Sequence, residues 1–220
     1  MDQTVINLAS YPRSGNSFFR LVAWKCFNVP NSTVYNEETS LKVGRHKKLT
    51  DIKQNGPVLI KTHYKPDVTT ENPTIYLVRD PFACYCSLAK AIVFRTRKDE
   101  DEKESEDEVL EQFINQIYEC HYGPWRDHIK AWVPRHDAVP VHFSDLIKHP
   151  VRVVQAALMA VLPADTVIWN KKTAPAYGEL KDNQEDYSTP NPYKWVDKLT
   201  PQQVLRIAKN ESSALRFIKV

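Results

Sequence analysis

An apolar, β-favouring stretch near the N-terminus of this 220-residue chain breaks into a turn at Gly15 and then opens a helix. Residues 5–9 have the pattern of a short strand, and apolar residues recur with a mostly helical period from Phe18 onwards. The first amide groups of such a helix have no intrahelical acceptor, and the helix dipole adds partial positive charge there. Residues 14–18 therefore predict either a phosphate-binding turn or a plain structural turn. The stretch is not a Walker A loop, since it lacks that motif's second glycine and lysine.

Two further apolar runs, 58–60 and 74–78, have the pattern of short buried strands that end at charged residues. Ligands of an open parallel sheet bind beyond the carboxyl ends of its strands. Four residues fall just past such ends, namely Arg13, Lys61, His63 and Arg79. Each alone is typical of a surface charge or a structural histidine, but together they predict a polyanion site. The predicted fold class is α/β, a single domain with a central, mainly parallel β-sheet flanked by helices.

Composition narrows the class of protein further. A 42% hydrophobic content suits one domain, 1–220, with a sizeable core. The net charge of +3 is mild and no basic run is present, so we expect no nucleic-acid partner. No leader pattern or bilayer-length apolar run occurs either, which predicts a cytoplasmic protein without a membrane partner. Four cysteines form no C-x-x-C pair and are interpreted as buried thiols rather than metal or redox ligands: Cys26, Cys84, Cys86 and Cys120.

Two segments have the composition of mobile chain. Residues 93–110 are dense in charge, which predicts a mobile, solvated acidic loop. Residues 173–195 are rich in proline, asparagine and tyrosine, which is typical of a lid rather than of a core. A final helix is predicted to begin at a Thr200 cap with Pro201 in its first position.

Three motifs resemble the sulfotransferases that use 3′-phosphoadenosine 5′-phosphosulfate (PAPS). Tyr11-Pro12-Arg13-Ser14-Gly15-Asn16-Ser17-Phe18 resembles that family's phosphosulfate loop, Tyr-Pro-Lys-Ser-Gly-Thr-Thr-Trp, with arginine in place of lysine. Lys61-Thr62-His63 resembles its strand-end Lys-Thr-His. The segment from Ile75 through Arg79-Asp80-Pro81 to Ser87 resembles its 3′-phosphate segment. Weaker matches continue to the C-terminal helix, and they include the helix that contains Trp125, His128 and Trp132.

The resemblance implies a P-loop-like sulfotransferase fold and transfer of a sulfuryl group from PAPS to a hydroxyl or amine of a small-molecule acceptor. The product would be adenosine 3′,5′-bisphosphate (PAP), and no metal is implied. His63 would be the general base, and Lys61 and Arg13 would stabilise charge on the leaving phosphate. The implied donor-binding residues are Arg13, Ser14, Gly15, Asn16, Ser17, Phe18, Arg79, Ser87, Phe143, Tyr177 and Lys194. Among these, Phe18, Phe143 and Tyr177 would hold the adenine. The acidic segment would lie near the acceptor entrance, where it could attract a cationic acceptor or cover the site.

The chain departs from the family pattern before Trp195. An Arg-Lys-Gly triplet that grips the 3′-phosphate is expected there, but residues 187–192 read Tyr-Ser-Thr-Pro-Asn-Pro. Recognition of that phosphate would then depend on Arg79 and Ser87, helped by Ser188, Thr189 or Lys194. Two alternatives stay open, a P-loop-type nucleotide kinase and a non-catalytic adenosine bisphosphate-binding module. The sequence predicts neither the acceptor nor an oligomeric state.

Overall fold

A parallel β-sheet forms the centre of the molecule. The computed structural model of the protein describes residues 3–35, 56–66, 71–96, 104–118, 122–164, 175 and 194–218. Five strands within these residues pair in the order β2-β3-β1-β4-β5, and every pair is parallel. Their bounds are β1 Gln3–Ser10, β2 Asn31–Thr33, β3 Gly56–Thr62, β4 Thr74–Val78 and β5 Ala138–His142. The predicted α/β class is confirmed.

Helices cover both faces of this sheet. In the described part of the chain they are α1 (Asn16–Phe27), α2 (Pro81–Thr96), α3 (Glu106–Ile114), α4 (Trp125–Trp132), α5 (Phe143–Lys148), α6 (Pro150–Val161) and α7 (Pro201–Leu215), with a short 3₁₀ helix at Lys194–Asp197. On one face α1 packs against α6. On the other face α2, α3, α4 and α7 pack together.

Alternating side chains of the central strands divide the core in two. Successive residues of a strand point to opposite faces of its sheet. In β4, Ile75 and Leu77 join the cluster of α1 and α6, whereas Tyr76 and Val78 join the cluster of α2, α4 and α7. All four of these side chains are at most 1% exposed. Both faces of the sheet are therefore covered by apolar clusters, and we expect a polar functional site at the ends of the strands.

The prediction of a mobile acidic loop at 93–110 is wrong at both ends of the segment, where the structure has helices. Helix α2 continues to Thr96, and α3 begins at Glu106. Ser105 caps α3 in a capping box, because its hydroxyl accepts from the Glu108 amide and the Glu108 carboxylate accepts from the Ser105 amide. Acidic residues in a first turn also interact favourably with the helix dipole. The acidic residues that led us to predict a loop therefore stabilise the first turn of a helix. Residues 97–103 lie outside the described residues.

Other sequence-based expectations can be compared with the structure. The strands predicted at 58–60 and 74–78 are present as parts of β3 and β4, and the Thr200 cap and Pro201 begin α7 as predicted. Cys26, Cys84 and Cys86 are buried free thiols. The predicted lid at 173–195 lies outside the described residues except for Pro175, Lys194 and Trp195. Among the helices that the structure describes, none combines the length and the apolar character needed to cross a bilayer.

Candidate active site

Residues at the carboxyl ends of all five strands converge on one edge of the sheet. The strands are parallel, so these ends meet at the same edge. β1 is followed by the turn at residues 11–15, and α1 begins at Asn16. The other strands are followed by Tyr35, His63, Arg79 and Phe143. The structure thus brings together the basic residues that the sequence predicted at this edge.

The turn after β1 is built from two residues with left-handed backbone. Arg13 has φ 70° and Gly15 has φ 93°. A Cβ at Gly15 would lie 2.7 Å from Cδ2 of Phe143, so the turn packs directly against the residue that follows β5. Gly15 is therefore required both for its φ and for this close approach. The turn directs the first amide groups of α1 and the side chain of Arg13 towards the strand-end edge.

Arg13, Ser87 and Arg79 form one hydrogen-bonded group. Nε of Arg13 donates to Oγ of Ser87 over 3.0 Å, and Nη1 of Arg79 donates to the Arg13 carbonyl over 2.7 Å. The Arg79 guanidinium also lies over the Phe143 ring, 4.2 Å from its centroid. Nε of Arg79 is buried and has no hydrogen-bond partner among the described residues. Since a buried polar atom without a partner is costly, this nitrogen points to a ligand with an acceptor oxygen.

His63 is held by its neighbours in a single tautomer. Nδ1 of the imidazole lies 2.8 Å from the Ser10 carbonyl, which can only accept, so Nδ1 carries the proton. The backbone N–H of His63 donates to the Tyr35 hydroxyl, and its carbonyl lies 3.0 Å from Nε2 of His128. Nε2 of His63 has no hydrogen bond to any residue that the structure describes. In the neutral ring this nitrogen is the proton acceptor.

The electrostatic surroundings keep His63 uncharged. Burial, together with the nearby Lys61 charge, lowers the pKa of His63 well below its usual value. Nζ of Lys61 lies 5.4 Å from the centroid of the Tyr35 ring, which in turn stacks on His63 at 5.9 Å. Burial raises the pKa of Tyr35 to about 12, so its hydroxyl stays neutral. A neutral proton acceptor and a cation thus lie side by side at the end of β3.

Some predicted donor-binding side chains point into the protein instead. Nδ2 of Asn16 donates to the Leu8 carbonyl and to Oγ of Ser10, and Ser14 is fully buried with its hydroxyl 3.5 Å from Sγ of Cys84. Phe18 is 3% exposed and belongs to the core cluster under α1 and α6. The side chains of Ser14 and Phe18 are packed within the protein, whereas the buried Oδ1 of Asn16 has no hydrogen-bond partner among the described residues. Ser17 is half-buried. The adenine contact of Phe18 stays a prediction.

Two residues of the site were missed by the sequence analysis. Tyr35 follows β2, a three-residue strand in a mostly polar stretch, and the only local signal for it is the run Ser32-Thr33-Val34 before it. Ser10 acts through its carbonyl, which no side-chain pattern can indicate. Two predicted residues cannot be compared, because Tyr177 and the side chain of Lys194 lie outside the described residues. No group of three or more histidine, cysteine or acidic side chains in the described ranges is arranged to hold a metal ion.

These features define an α/β protein whose parallel sheet carries a glycine-containing turn and the start of a helix after its first strand, and basic side chains after the next strands. The sequence matches the family described as Sulfotransferase domain over residues 3–158, and the chain belongs to that family. Among proteins with curated descriptions, none matches the chain in sequence.

Solved structures with the same fold include the mouse sulfotransferase SULT7A1 complexed with PAP. It superposes with a TM-score of 0.68 at 18% identity, covering 97% of this chain and 85% of its own. Retinol dehydratase in a complex with retinol and PAP gives a TM-score of 0.63 at 13% identity, covering 100% of this chain and 83% of its own. A second retinol dehydratase structure, with androsterone and PAP, gives 0.61 at the same identity and coverage. The single-domain α/β sulfotransferase fold predicted from the motifs is confirmed.

Proposed function

We propose that this protein transfers a sulfuryl group from PAPS to a hydroxyl or amine of a small molecule, with His63 as the general base. The single observation that carries the proposal is the state of His63. Its Nδ1 proton is committed to the Ser10 carbonyl, and Nε2 is left as a proton acceptor beside Lys61 and the turn of residues 11–15. A general base must be neutral and directed at the proton that it removes.

The nucleotide side of the site fits the donor. The Arg13 and Arg79 guanidinium groups are linked through the Arg13 carbonyl, and the Ser87 hydroxyl lies beside them. Nε of Arg79, which is buried without a partner in the described part of the chain, fits the role of a donor to an oxygen of the 3′-phosphate. The neighbours in fold were crystallised with PAP, the product of PAPS-dependent transfer, and this supports the same donor here.

In this reaction the sulfur–oxygen bond to the donor phosphate breaks while a bond to the acceptor atom forms. His63 takes the acceptor's proton on Nε2, and negative charge grows on the leaving phosphate. Arg13, Lys61 and the first amides of α1 would stabilise that charge. The stacked Tyr35 ring and the Ser10 carbonyl, which accepts the Nδ1 proton, would keep the imidazole in the orientation that proton transfer needs.

A transfer assay with sulfur-labelled PAPS tests the proposal. Alcohols, phenols, amines and sugars are offered in turn, and the panel includes retinol and androsterone because these molecules are bound in the two retinol dehydratase structures. We expect label to move to at least one acceptor without added magnesium. Phosphate transfer from ATP that requires magnesium would favour the kinase alternative instead. Tight PAP binding without turnover of any acceptor would favour the binding module.

A further inference from the structure

Three side chains on one face of α4 donate hydrogen bonds to the backbone of the site. Nε1 of Trp125 donates to the Arg79 carbonyl over 2.9 Å. Nε2 of His128 lies 3.0 Å from the His63 carbonyl, and Nε1 of Trp132 donates to the Tyr64 carbonyl over 3.0 Å. The donors recur after three and then four residues, which places them on the same side of the helix.

The carbonyls that accept these bonds lie just outside the sheet. β3 ends at Thr62 and β4 at Val78, so His63 and Arg79 are each the first residue beyond a strand. Beyond a strand end the sheet no longer satisfies the backbone, and a buried carbonyl needs another donor. α4 supplies a hydrogen-bond donor to the carbonyl of His63 and another to the carbonyl of Arg79. It therefore holds the backbone of the two residues whose side chains define the two halves of the site.

His128, the middle one of the three hydrogen-bond donors, is itself held in place by a residue of β4. A carbonyl can only accept, so Nε2 of His128 carries the proton and Nδ1 accepts from the Tyr76 hydroxyl at 2.7 Å. Tyr76 and His128 are both fully buried, and their rings stack at 5.6 Å. Burial also lowers the pKa of His128 to about 4, so this neutral arrangement persists at neutral pH. A continuous chain of bonds thus runs from β4 through α4 to the backbone of His63.

We propose that α4 is a positioning helix in which Trp125 orients Arg79 for nucleotide binding and His128 orients His63 for proton transfer. The inference rests on the function proposed above. His128 and Trp125 are positioning residues, because they touch the backbone of site residues rather than substrate. A role limited to stability would lower binding and turnover together, whereas separate positioning roles affect them separately.

The test compares Trp125→Phe with His128→Phe in the full chain, using calorimetric titration with PAP and the transfer of labelled sulfate at saturating donor. Trp125→Phe removes the N–H together with one ring of the indole, and it should weaken PAP binding about tenfold or more, with a smaller effect on turnover at saturation. His128→Phe should lower turnover on the order of 10–100-fold, since a small misplacement of a catalytic group has effects of that size, while PAP affinity is nearly kept. His128→Gln retains a donor and should recover most of the turnover.

Ile129→Val is the matched control, because Ile129 is buried on the same helix and donates no side-chain hydrogen bond. Its melting temperature should fall without any split between binding and turnover. If Trp125→Phe and His128→Phe behave like this control, or lower both readouts in parallel, the positioning role is wrong. Should His128→Phe fail to fold, the same comparison is made with Tyr76→Phe, which removes the hydroxyl that donates to Nδ1 of His128.

A spectroscopic readout separates this inference from the proposed function. Nitrogen-15 spectra of the imidazole rings report which nitrogen of His63 is protonated, with or without an acceptor. The natural chain should show Nδ1 protonated, and His128→Phe should show two exchanging tautomers. If the natural chain transfers no sulfate, the proposed function fails, but these spectra still test α4. An unchanged His63 tautomer together with unchanged turnover in His128→Phe would overturn the inference.

Discussion

At the scale of single residues, His63 shows how backbone contacts can prepare a side chain for chemistry. Its N–H, its carbonyl and its Nδ1 proton all have partners from other parts of the fold, so only Nε2 is left to accept a proton. The pKa of the ring is held low by burial and by Lys61, which keeps that nitrogen unprotonated.

The first prediction concerns His63→Ala. Loss of a general base lowers turnover by about 10²–10⁴-fold, whereas PAP affinity should be nearly unchanged because the base contacts the acceptor side. Steady-state transfer assays and PAP titration measure the two quantities. His136→Ala is the control, since this histidine is exposed and lies outside the site. Comparable losses of binding and turnover in His63→Ala would show a structural histidine instead.

The pH dependence of kcat/KM follows from the lowered pKa of His63. The neutral ring is the active form, so activity should be constant above pH 6.5 and should fall only at lower pH, as the ring becomes protonated. A profile from pH 4.5 to 8 measures this limb. Removal of the neighbouring charge in Lys61→Gln should move the limb of the residual activity to higher pH. An acid limb at or above pH 6.5 in the natural chain would contradict the proposed environment.

Arg79→Ala and Arg79→Lys test recognition of the 3′-phosphate. Hydrogen bonds to charged groups contribute about 1.5–3 kcal/mol, so the preference for PAP over adenosine 5′-monophosphate should fall about tenfold or more in Arg79→Ala. Lysine should rescue poorly, because its ammonium group does not reproduce the fixed, bidentate geometry of the guanidinium that bonds the Arg13 carbonyl. Calorimetry with both nucleotides measures this ratio, and exposed Arg152→Ala is the control. Equal affinity of the natural chain for both nucleotides would rule out a 3′-phosphate site.

At the scale of elements, the turn between β1 and α1 contacts the residues that follow β4 and β5. Gly15 lies against Phe143, which follows β5, while Arg79 after β4 bonds the Arg13 carbonyl and covers the same phenyl ring. The turn thus depends on two strands that follow it much later in the chain. Its shape is a property of the assembled sheet edge rather than of its own sequence.

Gly15→Ala should lose both stability and nucleotide affinity. The added Cβ meets Phe143 at 2.7 Å, and a non-glycine residue at φ 93° carries strain of about 1–3 kcal/mol. Gly56→Ala is a matched control, since Gly56 has φ 113° but no atom of the described residues lies within 4 Å of an added Cβ. Thermal melts and PAP titration of both variants separate the two causes. If Gly15→Ala lowers the melting temperature but binds PAP normally, the turn does not contact the donor.

At the scale of the whole molecule, α7 is joined to the site-bearing helices by one buried carboxylate. Glu211 is fully buried and accepts from the Tyr85 hydroxyl of α2 over 2.7 Å and from the Arg126 amide of α4 over 2.8 Å. Burial raises the pKa of this carboxyl. α2 carries Ser87 and α4 contacts the strand ends. By bonding both helices, α7 stabilises the elements that position the site residues.

Glu211→Gln should destabilise the protein by about 1–3 kcal/mol, because the carboxylate accepts from two donors, whereas glutamine is uncharged and can accept only through its single amide oxygen. For a chain of this length that corresponds to a fall in Tm of several degrees. Glu106→Gln is the control, since the two side chains of its ion pair with Lys198 are each 38% exposed and such a pair contributes little. Thermal unfolding of the two variants measures the difference. Equal Tm changes would mean that Glu211 is not an anchor of α7.

The sequence by itself determined the parts of the protein that local patterns encode. Apolar runs followed at once by charged residues predicted the strands and the edge at which Arg13, Lys61, His63 and Arg79 meet, and the structure confirms that arrangement. Such predictions succeed because strand periodicity and turn chemistry act within a few residues. The charge-dense stretch before α3 misled for the same reason. Acidic residues are typical both of solvated loops and of helix N-termini, and only the Ser105 capping box distinguishes them.

Tertiary structure alone decided how the site residues are held. The Ser10 carbonyl, the Tyr35 hydroxyl and Nε2 of His128 meet at His63 from positions 53, 28 and 65 residues away. A backbone carbonyl is present at every residue, so the sequence does not indicate which one accepts a hydrogen bond. Contacts between residues far apart in the chain produce no periodic sequence pattern. Phe18 lies on α1, and its burial likewise depends on how α6 packs against α1 on the same face of the sheet. The residue types at the strand ends were therefore predictable, but the tautomer and orientation of the base follow only from long-range packing.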